Sequence, residues 1–233
     1  MQSLFPKAYK ALVIGARGAI GQAFLHALQQ DPQCVHVEHV SRAQPGGFDL
    51  QDARSIEAQA AASAAAGPYQ CIVDATGALT IDGVGPEKAL AALQAAQLAK
   101  AFQLNAIGPL LVLRHFAPLL APGASIYAKL SARVGSITDN HKGGWYGYRA
   151  SKAALNMFLQ TAAIELQRKN PQLRIVALQP GTVRSDLSRP FAAGLETLLE
   201  PAESVAGMLA ALQCLQPRQG AYFIDYRGQE IPW

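Results

Sequence analysis

The sequence has few charged residues, few cysteines and no long apolar run, and each absence excludes a class of protein. Charged residues make up 15% of the 233 positions and hydrophobic residues 50%, a balance that excludes general disorder. The three cysteines lie far apart without metal-ligand spacing, which is typical of reduced thiols in a cytosolic protein. No stretch approaches about 18 consecutive apolar residues, and the N-terminus lacks the form of a secretory signal. We therefore expect a soluble, cytoplasmic protein without a membrane span.

The charge pattern and the histidines also exclude two kinds of partner. Lysine and arginine number 20 against 16 acidic residues, and the sequence has no basic cluster of the kind that marks a nucleic-acid partner. His36 and His39 are three residues apart on a predicted strand, where their side chains point to opposite faces and form a poor chelate. We expect neither nucleic-acid binding nor a metal site.

Apolar, β-rich runs alternate with segments of helical length that are rich in alanine, leucine and glutamine. This alternation predicts an α/β fold of the Rossmann type, doubly wound, with a mostly parallel seven-stranded sheet and helices on both faces. No linker interrupts it, so we expect residues 1–233 to form one domain. The predicted strands are 11–14, 35–41, 48–50, 70–74, 125–130, 173–178 and 221–225. The predicted helices are 19–30, 53–66, 86–120 with an interruption near Gly108-Pro109, 145–169 and 202–215.

The first strand leads into a glycine-rich turn, Gly15-Ala16-Arg17-Gly18-Ala19-Ile20-Gly21, within which a helix begins. A pyrophosphate must approach backbone N–H groups at a helix N-terminus, and a Cβ at the contact points would hold it away. We expect Gly15 to form the tight turn, Gly18 to allow the close approach and Gly21 to allow close helix–strand packing, with Ile20 beside the phosphates. The alternative is a glycine-rich turn that binds nothing.

The end of the second predicted strand carries the signal for the type of dinucleotide. An acidic residue there would bind the ribose 2′-hydroxyl of NAD, but this chain has Ser41 and Arg42, with Arg17 in the glycine turn. Two guanidinium groups suit a 2′-phosphate, so NADP(H) is favoured over NAD(H); the alternative is a pair of solvated surface arginines. Asp49 and Leu50 are predicted to contact the adenine, unless they simply precede a helix N-cap.

Tyr148 and Lys152 lie four residues apart in a predicted helix and therefore share one face. A free phenol has a pKa of about 10 and stays protonated at neutral pH. We expect the lysine ammonium, together with an oxidised nicotinamide, to lower the pKa of Tyr148. Tyr148 would then donate a proton to a carbonyl oxygen as hydride arrives, or accept one from an alcohol.

Taken together, these features resemble the short-chain dehydrogenase/reductase family from Ala11 to Trp233. Gly15, Gly18 and Gly21 resemble its cofactor turn, and Tyr148 with Lys152 matches its active-site pair. Within the family, residues 131–137 and 143–149 look most like the carbonyl-reductase branch that includes sniffer and C-factor.

The resemblance implies further site residues. Asn105 is similar to the asparagine that completes the family's catalytic tetrad and holds a water in a proton relay through the lysine. In the family, the lysine also binds the nicotinamide ribose. The cofactor-binding residues that the resemblance adds are Ala75, Thr76 and Gly77 after the fourth predicted strand, and Pro180, Gly181, Thr182 and Val183 after the sixth. The segment at about 186–200 would form the lid over the substrate.

Two departures from the family pattern concern the chemistry. Asp74 stands where the family has an asparagine that stabilises the sheet. The family commonly has two adjacent serines after the strand before the active-site helix and uses the second to orient the carbonyl; here that position is Ala132. Ser131 is predicted to take the role, with Ser136 as its rival.

From these features we predict an NADP(H)-dependent oxidoreductase that reduces a ketone or aldehyde to an alcohol, or the reverse. Its partner would be a small-molecule carbonyl or alcohol substrate, and the family resemblance implies a homodimer or homotetramer. The alternative is a dinucleotide-binding signalling or regulatory protein with vestigial chemistry. The missing second serine and the resemblance to C-factor motivate that alternative.

Overall fold

A parallel sheet is the framework of the structure, a computed structural model that describes residues 3–42, 47–185 and 198–233. In this part of the chain the sheet has six strands in the order β2-β1-β3-β4-β5-β6, and every neighbouring pair is parallel. The architecture confirms the predicted Rossmann-type α/β fold. The strands are β1 (Tyr9–Ile14), β2 (Cys34–Val40), β3 (Cys71–Asp74), β4 (Ser125–Leu130), β5 (Leu173–Gln179) and β6 (Tyr222–Asp225).

Helices connect the strands and cover both faces of the sheet. They are α1 (Ala19–Gln29), α2 (Ala53–Ser63), α3 (Ala95–Phe102), α4 (Gly108–Phe116), α5 (Tyr146–Gln167) and α6 (Pro201–Cys214). Single 3₁₀ turns occupy Leu90–Ala92, Ala117–Leu119 and Arg133–Gly135. None of the helices in the described ranges combines the length and the apolar character that crossing a bilayer requires.

The predicted helix at 86–120 is wrong over its first nine residues, because α3 begins only at Ala95. Its interruption lies just before the predicted place: a π-helical turn, Gln103–Ile107, joins α3 to α4. Pro109 has no N–H to donate to the carbonyl of Asn105, as an α-helix would require, so the regular ladder cannot continue there. The wider turn is the local solution, and it includes Asn105 itself.

The predicted strand at 48–50 is also wrong, which leaves the described sheet with six strands where seven were expected. The backbone of this segment engages helices. The N–H of Asp49 donates to Oγ of Ser55 in α2 (2.9 Å), and the carbonyl of Leu50 accepts from Nε2 of Gln103 (3.1 Å). Leu50 also lies so close to α4 that a Cβ built on Gly108 would come within 2.6 Å of its carbonyl oxygen.

The alternation of side chains along the strands divides the core into two clusters, one on each face of the sheet. In β1, Ala11 and Val13 pack on the face covered by α1 and α6, whereas Leu12 and Ile14 pack on the face covered by α2, α4 and α5.

Because all strands of the described sheet are parallel, their carboxyl ends meet at one edge. The chain leaves β1 and β3 in opposite directions, so a crevice for ligands is expected above these two strands.

The contact between Leu50 and α4 predicts that Gly108→Ala destabilises the fold. The added methyl group would lie 2.6 Å from a backbone oxygen, so we expect the free energy of unfolding to fall by about 1–3 kcal/mol in urea denaturation. Gly67→Ala is the matched control, since its nearest neighbour would be 3.4 Å away and its φ is not positive. Equal stabilities of the two variants would contradict the role assigned to the Leu50 contact.

Candidate active site

The backbone of the glycine turn requires glycine at two positions. Gly15 has φ +84°, a conformation that favours glycine, and its N–H donates to the carbonyl of Val40 (2.8 Å). A Cβ on Gly21 would lie 2.3 Å from the carbonyl oxygen of Gly15, so the packing of α1 on the turn requires glycine. Gly18 is the N-cap residue of α1 and provides no side-chain acceptor for the first N–H groups of the helix. Those N–H groups suit an anionic oxygen.

The residues predicted to bind the adenosine differ in their surroundings. Arg17 and Arg42 are exposed and form no ion pair with any residue in the described ranges, whereas Ser41 is buried. The carboxylate of Asp49 accepts from the N–H of Gln51 (2.9 Å) in the turn that leads to α2. Leu50 lies against α4, as described above. The contacts of Asp49 and Leu50 with adenine therefore stay predictions.

The segment after β3 lies directly against the glycine turn. The N–H of Ala75 donates to the carbonyl of Ile14 (2.8 Å), and a Cβ on Gly15 would lie 3.1 Å from the backbone nitrogen of Thr76. Both the N–H and the hydroxyl of Thr76 donate to Oδ1 of Asp74, at 2.9 and 2.6 Å. Asp74 thereby holds the segment that its own strand leads into.

The structure brings Tyr148 and Lys152 together one turn apart on α5. Nζ of Lys152 lies 5.7 Å from the centroid of the Tyr148 ring and donates to the carbonyl of Leu130 (3.2 Å) at the end of β4. A Cβ built on Gly77 would lie 3.5 Å from that Nζ and 3.2 Å from Oδ1 of Asn105. The predicted tyrosine, lysine, asparagine and glycine therefore meet at the carboxyl edge of the sheet.

Burial determines the protonation of this pair, in a direction opposite to the expectation for Tyr148. Burial raises the pKa of Tyr148 to about 12, so the phenol stays protonated throughout the neutral range. Burial, followed by the positive charge of Lys129, lowers the pKa of Lys152 to about 7, and the negative charge of Asp74 opposes this shift. Lys152 is therefore close to the balance between its charged and neutral forms at neutral pH.

Asn105 is fully buried in the π-helical turn, and its amide is engaged at both ends. Oδ1 accepts from the N–H of Ala78 (2.9 Å), and Nδ2 donates to the carbonyl of the same residue (2.8 Å). This pair of bonds fixes the backbone that passes Lys152. The water that the resemblance assigns to Asn105 stays a prediction.

Both candidate serines are buried, and both have internal partners. Oγ of Ser131 donates to Oδ1 of Asn156 (2.6 Å), and Oγ of Ser136 accepts from the N–H of Asp139 (3.0 Å). Nδ2 of Asn156 has no hydrogen-bond partner among the described residues. Ser131 directly follows Leu130, whose carbonyl binds Lys152. Ser136 directly follows Gly135, where a Cβ would lie 2.9 Å from Cβ of Lys152, so the chain passes close to Lys152 at both serines.

The segment predicted to bind the nicotinamide follows β5. The hydroxyl of Ser204 in α6 donates to the carbonyl of Pro180 (2.6 Å), and Gly181 turns the chain with φ +78°. The carbonyl of Thr182 accepts from the N–H of Leu199 (3.0 Å), and Val183 is buried. Most of the predicted lid, residues 186–197, lies outside the described part of the chain.

Lys129 is a site residue that the sequence analysis missed. It is fully buried in β4, and its Nζ donates to the carbonyl of Thr76 (2.6 Å) and pairs with Oδ1 of Asp74 (3.1 Å). A signal for it existed in the sequence, since a lysine in a predicted central strand needs a buried partner and Asp74 ends a strand that could pair with it.

Glu87 is a second missed residue, and no sequence signal pointed to it. Its buried carboxylate accepts from the N–H of Gly147 (3.0 Å), and its backbone carbonyl accepts from the N–H of Trp145. Trp145 is the N-cap residue of α5; its backbone lies in the left-handed region and its side chain forms no cap. Glu87 therefore provides the cap from a distant loop. This contact fixes the start of the helix that carries Tyr148.

The parallel sheet, the glycine turn and the tyrosine–lysine pair define a nucleotide-binding α/β oxidoreductase. The sequence model for the family described as short chain dehydrogenase matches residues 9–196. This chain belongs to that family, as its motifs suggested, and is an NAD(P)-dependent oxidoreductase.

Individual proteins agree with this assignment. A protein named C-signal from Myxococcus xanthus is 40% identical over 146 residues, which are 62% of this chain and 84% of that protein. The 1-hydroxy-2-glutathionyl-2-methyl-3-butene dehydrogenase of Rhodococcus sp. (strain AD45) is 30% identical over 188 residues, 80% of this chain and 79% of the relative. A short-chain dehydrogenase/reductase from Burkholderia multivorans with bound NADP superimposes with a TM-score of 0.82, 25% identity, and coverage of 98% and 100% of the two chains.

The cap on α5 predicts that Glu87→Ala destabilises the protein, because the buried N–H of Gly147 loses its charged acceptor. We expect the free energy of unfolding to fall by about 1–2 kcal/mol in urea denaturation. Glu87→Gln keeps an acceptor oxygen and should lose less than half as much. If the two variants were equally destabilised, the hydrogen bond to Gly147 would not be the cause.

Proposed function

We propose that this enzyme uses NADP(H) to reduce a ketone or aldehyde to the alcohol, or to catalyse the reverse reaction. The observation that carries the proposal is the position of Tyr148, with Nζ of Lys152 5.7 Å from its ring, at the sheet edge where the glycine turn also lies. A protonated phenol is a proton donor, which is the group that carbonyl reduction requires beside a hydride source.

The residues present fit a dinucleotide. Gly15 and Gly21 allow the turn to pack closely on Thr76 and on α1, and the uncapped N-terminus of α1 provides N–H groups for the pyrophosphate. Arg17 and Arg42 would bind a 2′-phosphate, because both are exposed cations without an ion pair in the described ranges. When bound, NADPH supplies the hydride, with its two electrons, to the carbonyl carbon. The NADP in the Burkholderia multivorans structure supports this choice.

In the reductive direction, Tyr148 donates its hydroxyl proton to the carbonyl oxygen. The phenolate left behind takes a proton from the ammonium of Lys152, which therefore becomes neutral and is recharged from solvent. The pKa of about 7 suits Lys152 to this exchange, because a group near its pKa both releases and regains a proton readily. Lys152 would also bind the ribose hydroxyls, and Asn105 would hold the relay water beside it.

Ser131 is the group that we propose to orient the carbonyl, with Ser136 as the rival. The amide of Asn156 can be assigned in two ways, which differ in the positions of its oxygen and nitrogen. In the flipped assignment, Nδ2 donates to Oγ of Ser131, which gives the amide nitrogen the partner that it otherwise lacks. The hydroxyl of Ser131 is then free to donate to a carbonyl oxygen.

The substrate is proposed to be a small carbonyl compound or alcohol. The Rhodococcus relative is named for an alcohol that bears a glutathionyl group, so a bulky polar substituent is one of the classes to include in a substrate panel. By family analogy we propose a homodimer or homotetramer through α4 and α5; Ile107, directly before α4, and Met157 in α5 are exposed. We also propose that residues 1–233 form one domain.

A regulatory protein that binds NADP(H) without turnover is the second candidate, and Ala132 is the observation that favours it. The position has no hydroxyl, and the neighbouring Ser131 is bonded to Asn156. The retained tyrosine and lysine favour the enzyme. Steady-state NADPH oxidation with a panel of ketones, quinones and aldehydes separates the two, since saturable binding without any turnover would identify the regulator.

Tyr148→Phe should abolish turnover and leave NADPH binding nearly unchanged, because it removes one hydroxyl and keeps the ring. We expect the rate with an active substrate to fall by about 10²-fold or more, measured as NADPH oxidation, with the dissociation constant followed by NADPH fluorescence. Tyr146→Phe, two residues away on the exposed side of α5, is the control. Turnover retained in Tyr148→Phe would refute the assignment of the proton donor.

Replacing Arg17 and Arg42 together by serine should weaken NADPH binding by about tenfold to a hundredfold, since charge-assisted bonds to the 2′-phosphate are lost. NADH lacks that phosphate, and its affinity should stay nearly constant. Arg168→Ser, at the opposite end of α5 from Tyr148, is the control for a general change in surface charge. Equal losses for NADPH and NADH would contradict the proposed phosphate contact.

A further inference from the structure

Two buried lysine side chains, Lys129 and Lys152, lie next to the segment Thr76–Gly77. Lys129 is fully buried. Its ammonium donates to the carbonyl of Thr76 (2.6 Å) and to Oγ1 of the same residue (3.1 Å). That carbonyl belongs to the peptide bond between Thr76 and Gly77. A Cβ on Gly77 would lie 3.5 Å from Nζ of Lys152.

Lys129 is held in this position by a buried ion pair. Asp74 and Lys129 are register partners on β3 and β4, and their charged atoms are 3.1 Å apart with side chains 0% and 1% exposed. Oδ2 of Asp74 also accepts from the hydroxyl of Tyr127 (3.3 Å). Such a pair contributes little net stability over apolar residues of the same size, so its retention needs another reason.

We propose that Lys129 is a positioning residue for the reaction: its ammonium holds the Thr76–Gly77 segment beside Lys152, and its buried positive charge acts on the ammonium of Lys152. The inference rests on the proposed function of Lys152 in carbonyl reduction and deepens it. Lys129 itself touches neither Tyr148 nor the reacting atoms in this assignment, and acts through Lys152.

The electrostatic surroundings of Lys152 support this role. The titratable groups that face it are Lys129 on β4, Asp74 on β3 and Tyr148 on its own helix. The repulsion from Lys129 lowers the pKa of Lys152 more than the attraction of Asp74 raises it. Removal of both charges of the ion pair should therefore raise the pKa of Lys152, so that the group keeps its charge to higher pH.

The pKa of Lys152 can be measured without catalysis. In the full chain labelled with ¹³Cε-lysine, the NMR signal of Lys152 is assigned by its loss in Lys152→Arg and followed from pH 5 to pH 11. For the unchanged protein we expect a midpoint of about 7. For Asp74→Asn/Lys129→Met, which leaves no unpaired buried charge, we expect the midpoint to rise by about one pH unit.

The controls separate this effect from a general change in charge or fold. Asp82→Asn/Lys100→Met removes an exposed ion pair and should leave the midpoint of Lys152 unchanged. Asp74→Asn/Lys129→Gln is a second neutral pair that keeps polar groups in the sheet, should the first variant fail to fold. Both neutral pairs are first checked by circular dichroism and urea denaturation.

Two results would overturn the proposal: a midpoint near the ordinary lysine value of about 10.4 in the unchanged protein, or a midpoint that moves by less than about 0.3 pH units in a folded neutral pair. Turnover on the carbonyl panel tests the proposed function separately. If the pKa of Lys152 shifts as expected but the protein shows no turnover, the carbonyl-reductase assignment is refuted and the electrostatic coupling of Lys129 to Lys152 stands.

Discussion

The active site depends on the burial of two lysine ammonium groups at the carboxyl edge of the sheet. Burial disfavours the charged form of each, and the two groups respond differently because their partners differ. Lys129 has a carboxylate within ion-pair distance, whereas Lys152 hydrogen-bonds only to a backbone carbonyl among the described contacts. The site therefore combines one lysine that is paired with a carboxylate and one whose pKa burial lowers to about 7.

Backbone geometry puts the exchangeable lysine beside its tyrosine. The π-helical turn at Gln103–Ile107 brings Asn105 to Ala78. The side-chain oxygen and nitrogen of Asn105 both bind the backbone of Ala78 and hold that loop beside Lys152. At the N-terminus of α5, the carboxylate of Glu87 caps the helix that carries Tyr148. Tyr148 and Lys152 are thus held in place by hydrogen bonds from segments outside α5. This is the rigid support that a precise proton transfer requires.

Much of the fold and of the candidate site was predictable, because the relevant signals are local. The glycine turn follows the first strand, and the tyrosine–lysine spacing matches one helical turn, so both were found without knowledge of distant contacts. Residues 48–50 show the limit of such signals. They have the composition of a short strand, yet Leu50 binds Gln103 and packs on Gly108, residues that are more than fifty positions away.

The sequence by itself determined the α/β class, the position of the glycine turn and the spacing of Tyr148 and Lys152, since each depends on residue type and short-range spacing. Tertiary structure alone decided the number of strands in the described sheet, the capping of α5 by Glu87 and the protonation of Tyr148 and Lys152. Burial raises the pKa of Tyr148 to about 12, opposite to the direction expected from an adjacent ammonium and an oxidised nicotinamide. Desolvation depends on what surrounds a group in space, and no local pattern contains that information.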